Sequence, residues 1–249
     1  MKKNLFPKVS LSIITLIMSL MAANLSIAGD TIKTELITLG IKAQIGPYYY
    51  LDKNEVKELS ISRHGISSPV IYRGSIGLLL YLNKPTAEDI KNLKSKKDPA
   101  PKPDLVVKLD KTTGRTLLLF SQRKTKENEP SSTLVRSYPI SNTSSSNGDC
   151  LIFNLSKLDV YILLDKKIKQ IKPQKSVTFK AATWKKSAVD LEIKLGQKKD
   201  GQLKSVYNSV WGHQPNQRAI LFVYDRGGKK GGLAIRRYYD HPGNSQASR

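Results

Sequence analysis

The sequence predicts an all-β fold: an antiparallel β-sandwich of many short strands, with at most one short helix near residues 86–94. Two observations carry this. Apolar and polar residues alternate with period 2 through most of the chain after Gly29, the pattern of strands with one buried face. Turn-forming clusters such as "GISSP", "KTTG", "KPQK", "KDG" and "RGGKKGG" then break the pattern at short intervals. Short strands at such spacing imply a sandwich or a barrel.

Residues 1–28 have the form of a cleavable export signal. Lys2, Lys3 and Lys8 make a positive start, and "VSLSIITLIMSLMAA" is an apolar run of about 15 residues, short of the roughly 20 that span a bilayer. Ser26 and Ala28 then stand at the two small-residue positions before Gly29. The alternative is an uncleaved N-terminal anchor. No cysteine follows the run, which argues against a lipoprotein. Cys150 is the only cysteine of the 249 residues, so no intrachain disulfide can form. Export without disulfides points to a bacterial periplasm, cell surface or extracellular space.

Strands are expected in order at 32–39, 55–62, 69–73, 77–82, 104–109, 115–121, 132–138, 150–154, 158–164, 167–171, 175–181, 188–195, 203–210, 218–225 and 232–239. "GPYYYLD" (46–52) is an aromatic cluster in which Tyr48 and Tyr50 share one face and Tyr49 takes the other. Thr86 and Asp89, spaced three apart ahead of Ile90 and Leu93, read as a capped helix start. The proline-rich stretch within 95–103 then either joins two β subdomains, 29–94 and 104–240, or crosses within one sandwich spanning 29–240. "AILFVYDRGGKKGGLAIRRYY" reads as a β-hairpin, and 241–249 as a flexible tail. No repeat of fixed period is visible. In "CLIFNLSKLDVYILLDKKIKQIKPQKSVTFK" the expected core residues are Leu151, Phe153, Val160, Ile162, Ile168, Ile171, Val177 and Phe179, and Pro173 fits the second position of the turn "KPQK".

Chemistry is sparse. His64, His213 and His241 form no close pair, and all three methionines lie in the first 28 residues, so a blue-copper site is excluded and nothing in the spacing asks for zinc. No nucleophile elbow, S-x-x-K box or phosphate-binding loop is present. Cys150 opens an apolar strand and reads as a small hydrophobe. Asp190 and Glu192 share a strand face as exposed charge. No catalytic residue, cofactor or metal is implied.

Two groups remain as candidate ligand-binding residues. Trp211, His213 and Arg218 flank a turn, where Trp211 and Arg218 could stack and grip a sugar or an acidic group; alternatively Trp211 plugs the sandwich end under Arg218. Lys167, Lys169 and Lys175 occupy polar positions of adjacent strands, with Lys185 and Lys186 just beyond, and are expected to form a continuous basic surface. Formal net charge is +22. That field attracts polyanions, unless lysine is simply abundant on every surface.

The order "SSPVIYRG", "GLLLYL", "CLIFNLSKLDVYILLDKKIKQIKPQKSVTF" and "VYNSVWGHQPNQRAILFVYD" resembles a group of exported β-sandwich proteins of planctomycete and verrucomicrobial type. That group shows an "fxNlS" strand, a "KPG" turn, and a Trp followed by "R-x-hydrophobic"; here Gln174 replaces the turn glycine. The resemblance implies a sandwich and export, and brings no activity. The function expected is non-catalytic binding of an anionic polysaccharide, lipid head groups or an envelope protein. An envelope enzyme such as a glycan hydrolase is the alternative, and nucleic-acid binding, disfavoured by export and scattered lysines, comes third.

Overall fold

The computed structural model describes residues 31–41, 45–53, 55–95, 101–111, 114–123, 132–140, 146–181, 188–199, 201–226 and 232–241. The elements run β1 (Thr31–Ile41), β2 (Tyr48–Asp52), β3 (Glu55–Leu59), β4 (Val70–Ser75), β5 (Gly77–Leu80), α1 (Ala87–Ser95), β6 (Leu105–Lys108), β7 (Gly114–Arg123) and β8 (Ser132–Pro139). They continue as β9 (Cys150–Asn154), β10 (Val160–Leu164), β11 (Lys167–Ile171), β12 (Ser176–Phe179), β13 (Val189–Lys199), β14 (Gln202–His213), β15 (Arg218–Asp225) and β16 (Leu233–Asp240). Among the described residues the fold is all-β with one short helix. The proposed signal segment, Lys185, Lys186 and residues 242–249 lie outside the described residues.

The two halves of the chain repeat one topology. In the first, the sheet β4-β1-β7-β8 faces a layer in which β3-β2 and β5-β6 are joined by an antiparallel bridge between Tyr49 and Tyr81, with backbone bonds of 2.7 and 2.9 Å. In the second, β12-β9-β15-β16 faces β11-β10-β13-β14. Each strand of the first half thus has a counterpart eight strands later. Most neighbours are antiparallel, as expected, but β1 pairs with β7 in parallel and so does β9 with β15. Each parallel pair closes around the intervening strands of its own half, the long connection that parallel pairing requires. The hairpins β2–β3 and β10–β11 both turn in two residues. Asp165 and Lys166, at φ of 47° and 63°, give the second a type I′ turn.

Three cores result. Leu36, Tyr48, Tyr50, Leu78 and Phe120 fill the first sandwich, and Ile152, Val160, Ile162, Phe179 and Leu221 the second. A third core lies between the halves, where Ile37, Leu39, Leu117, Leu119, Leu151, Phe153, Ile220, Phe222 and Tyr238 meet. There the Phe153 ring stacks on Phe222 at 5.3 Å and meets Tyr138 at 4.6 Å. Strands β1, β7, β9 and β15 therefore bury both faces, and the two sandwiches stand back to back in four layers. This is why "LITLGI", "TLLLF", "CLIF" and "AILFV" read as runs rather than as strict alternation.

β6, which follows 95–103 in sequence, pairs with β5, so the elements on both sides of that segment belong to the first sandwich; β8 ends at Pro139 and the second sandwich opens with β9 at Cys150. Thr86 and Asp89 form the expected capping box: the Asp89 carboxylate accepts from the Thr86 amide at 2.8 Å, and the Asp89 amide donates to the Thr86 hydroxyl at 3.2 Å. Tyr48–Asp52 forms a strand, and Tyr48 and Tyr50 point into the core together, as alternation requires. The turn Lys172–Lys175 closes with a 3.1 Å backbone bond, and Gln174 takes the glycine-like position at φ 61°.

One expected core residue is corrected. Ile168 is 56% exposed, because the β10–β11 turn pairs it with Leu163 and sends both outward, while Phe179, at 1%, is core. Phe179→Ala should cost about 3–5 kcal/mol in urea unfolding, by lost transfer energy plus cavity. Ile168→Ala should stay within about 0.5 kcal/mol. Similar costs for the two would contradict this register.

Candidate functional site

Arg218 opens β15, and the alternation of that strand decides where it goes. Ala219, Leu221 and Val223 face the second core, so Arg218, Ile220 and Phe222 face the seam between the sandwiches. Trp211 and His213 lie on the second-core side. The three expected partners are therefore not brought together. The cation over Trp211 is Arg237 of β16, with its guanidinium 4.8 Å from the indole and 5.1 Å from the Tyr239 ring. Arg237 and Tyr239 both donate to the Gly212 carbonyl, at 3.3 and 3.0 Å. This stack closes the lateral side of the second sandwich, where the edge strands β14 and β16 approach.

His213 is buried, and its Nε2–H donates to the Gly148 carbonyl at 2.8 Å. Burial pulls its pKa down and Arg237 adds to this, against Gly148 and Asp149, which raise it. The bond ties the passage between the halves to β14. Asp149 ties the same passage to the far side: its carboxylate accepts from the Ala181 amide at 2.9 Å, the Ser146 amide at 2.8 Å and Lys180 Nζ at 3.2 Å. Burial alone would raise its pKa, but these donors together leave it lowered. Beside it, burial pushes the Cys150 thiol up to about 12, which leaves it inert as a nucleophile.

Arg218 is fully buried and pairs with Asp240 at the end of β16. The other oxygen of Asp240 accepts from Arg115 Nη1 at 2.7 Å, and Arg115 Nε donates to Glu35 at 2.8 Å. Arg115 and Arg218 are comparably placed in the repeated topology, each two residues before the first seam-core residue of its strand, Leu117 on β7 and Ile220 on β15. A guanidinium from each sandwich thus grips one carboxylate at the mouth of the seam. Two cations and two anions balance, and deleting one member of so buried a set typically costs about 3–5 kcal/mol. Glu35, Ile66, Ser67, Pro69, Arg115 and Asp240 line part of a cleft of about 540 Å³ here. The sequence reading missed this group. Its signal was an Arg heading each of two apolar strands, "GRTLLLF" and "QRAILFV".

The lysines converge better. β11 and β12 are edge strands of the two facing sheets of the second sandwich. Lys169 spans them: its Nζ donates to the Thr178 carbonyl at 2.7 Å and sits 4.9 Å from the Phe179 ring centre. Lys167 shares that side of β11, paired opposite the inward-facing Leu164, and Lys175 immediately precedes β12. Inward-tilted lysines on an edge also discourage pairing with a stray strand. Among the described residues, no group of three His, Cys, Asp or Glu is arranged to hold a metal ion. No protein-family model and no curated protein sequence matches the chain.

The lowered pKa of His213 makes a pH prediction. A neutral buried ring contributes stability that is complete above its unfolded pKa of about 6.5 and is lost as pH falls from there toward the lower folded value. Wild type should lose more unfolding free energy than His213→Gln between about pH 7.5 and 5.5. Equal losses in urea titrations would show that the ring is not held neutral.

Proposed function

We propose that the protein acts by binding, as an exported module that presents the basic edge of its second sandwich to an anionic component of the cell envelope. The observation that carries this reading is an asymmetry between counterpart strands. β3, the edge strand of the first sandwich, carries Glu55, Lys57 and Glu58, and Lys57 is tied to Asp52 at 2.6 Å. Its counterpart β11 carries Lys167 and Lys169 with no acid, and Lys172 and Lys175 stand in the turn between β11 and β12, while Lys180, after β12, is paired with Asp149. Lysine that merely coated the surface would fall alike on both. Same-sign charges gathered within about 8 Å, the Debye length at physiological salt, reinforce one another and focus a field that scattered ones cannot.

Heparin retention tests this. The triple variant Lys167→Glu/Lys169→Glu/Lys175→Glu should elute at clearly lower salt than Lys84→Glu/Lys91→Glu/Lys94→Glu, which changes net charge equally around α1. Equal elution of the two variants would reduce the affinity to overall charge and sink the proposal.

A further inference from the structure

The repeated topology exposes a difference between the two outer layers. In the first sandwich β5 reaches β6 through α1, and Leu93 of that helix faces a hollow of about 390 Å³ that it shares with Leu51 and Leu79, the outward residues of β2 and β5. The helix buries none of its own residues and flanks that layer through Leu93. In the second sandwich the counterpart connection is the tight β13–β14 turn, where Lys199 pairs with Gln202 and Gly201 takes φ 77°. No helix covers the layer β11-β10-β13-β14 among the described residues, and its outer face mixes polar residues with exposed aliphatic ones. Ile168, Leu203 and Val210 stand 56%, 48% and 63% exposed. Tyr161, Leu163, Ile168 and Leu203 surround a hollow of about 150 Å³ floored by Gly196. The missing side chain is used: a Cβ at Gly196 would come within 2.9 Å of Leu203 Cδ1, so Leu203 lies where it does because position 196 is glycine.

Cations border this apolar area. Lys166 stands at the β10–β11 turn near Ile168, and Lys198 lies 5.8 Å from the centre of the Tyr161 ring. Of the carboxylates, Asp165 shares the turn, Glu192 is paired with Lys194 at 2.8 Å, and Asp190 sits at the far end opposite Gly212. From this we infer that the outer face of β11-β10-β13-β14 docks on an anionic lipid bilayer. The inference rests on the binding reading above and narrows its partner. A soluble polyanion offers charge to the lysines and nothing to protruding aliphatic groups. A bilayer with acidic head groups offers both, cations resting at head-group level and Ile168 and Leu203 reaching the acyl boundary.

Co-sedimentation tests this with vesicles of phosphatidylcholine alone and of phosphatidylcholine mixed with phosphatidylglycerol. Wild type should bind the mixed vesicles and leave the neutral ones. Ile168→Ser/Leu203→Ser should bind the mixed vesicles at least about tenfold more weakly, through lost apolar burial. Both positions are exposed, so its melting temperature and heparin elution should match wild type. Equal vesicle binding by that variant and wild type would overturn the inference, as would absence of wild-type binding to mixed vesicles, and either can occur while the heparin result stands. Binding of wild type to neutral vesicles as tightly as to acidic ones would overturn it too, since the lysines would then contribute nothing.

Discussion

The apolar seam between the two sandwiches is the constraint from which the rest follows. Four strands, β1, β7, β9 and β15, have no solvent face, so each must satisfy its backbone within its own sheet and its side chains in two cores at once. Tyr138 of β8 meets Phe153 of β9 across the middle of the seam, their ring centres 4.6 Å apart. At its mouth, Asp240 accepts from a guanidinium of each half, which fixes how one sandwich sits on the other. A purely apolar seam would tolerate sliding; a carboxylate shared by Arg115 and Arg218 has one position that satisfies both.

Because the inner sheets are spent on each other, what differs between the halves is displayed outside. The first half carries α1 beside its outer layer and mixed charge on β3. The second has no helix over its outer layer among the described residues, and it gathers lysine along β11 and before β12. One topology thus presents two unlike surfaces, and the proposed binding function draws on both departures of the second half from the first.

Much of this was legible in the sequence because local rules coincide with the outcome. Period-2 alternation located nearly every strand and placed Val160, Ile162, Ile171 and Phe179 correctly, and the spacing of Thr86 and Asp89 marked the start of α1. Failures came where a residue's neighbour is remote in sequence. The repeat stayed hidden because equivalent strands differ in length and connection: α1 fills a gap that the second half closes in two residues. The parallel pairs and the doubly buried strands depend on which sheets stack, which alternation does not encode. Ile168 was misplaced because the type I′ turn at Asp165–Lys166, not hydrophobicity, sets the β11 register. Trp211 was assigned the nearest arginine in sequence, yet strand pairing delivers Arg237 to it and turns Arg218 to the opposite face.

If the seam makes the two sandwiches one structure, they must unfold together. Differential scanning calorimetry of the full chain tests this most directly. The account predicts a single transition whose calorimetric and van't Hoff enthalpies agree. Two resolved transitions, or a calorimetric enthalpy about twice the van't Hoff value, would mean that each sandwich melts by itself and that the seam is a contact rather than a core.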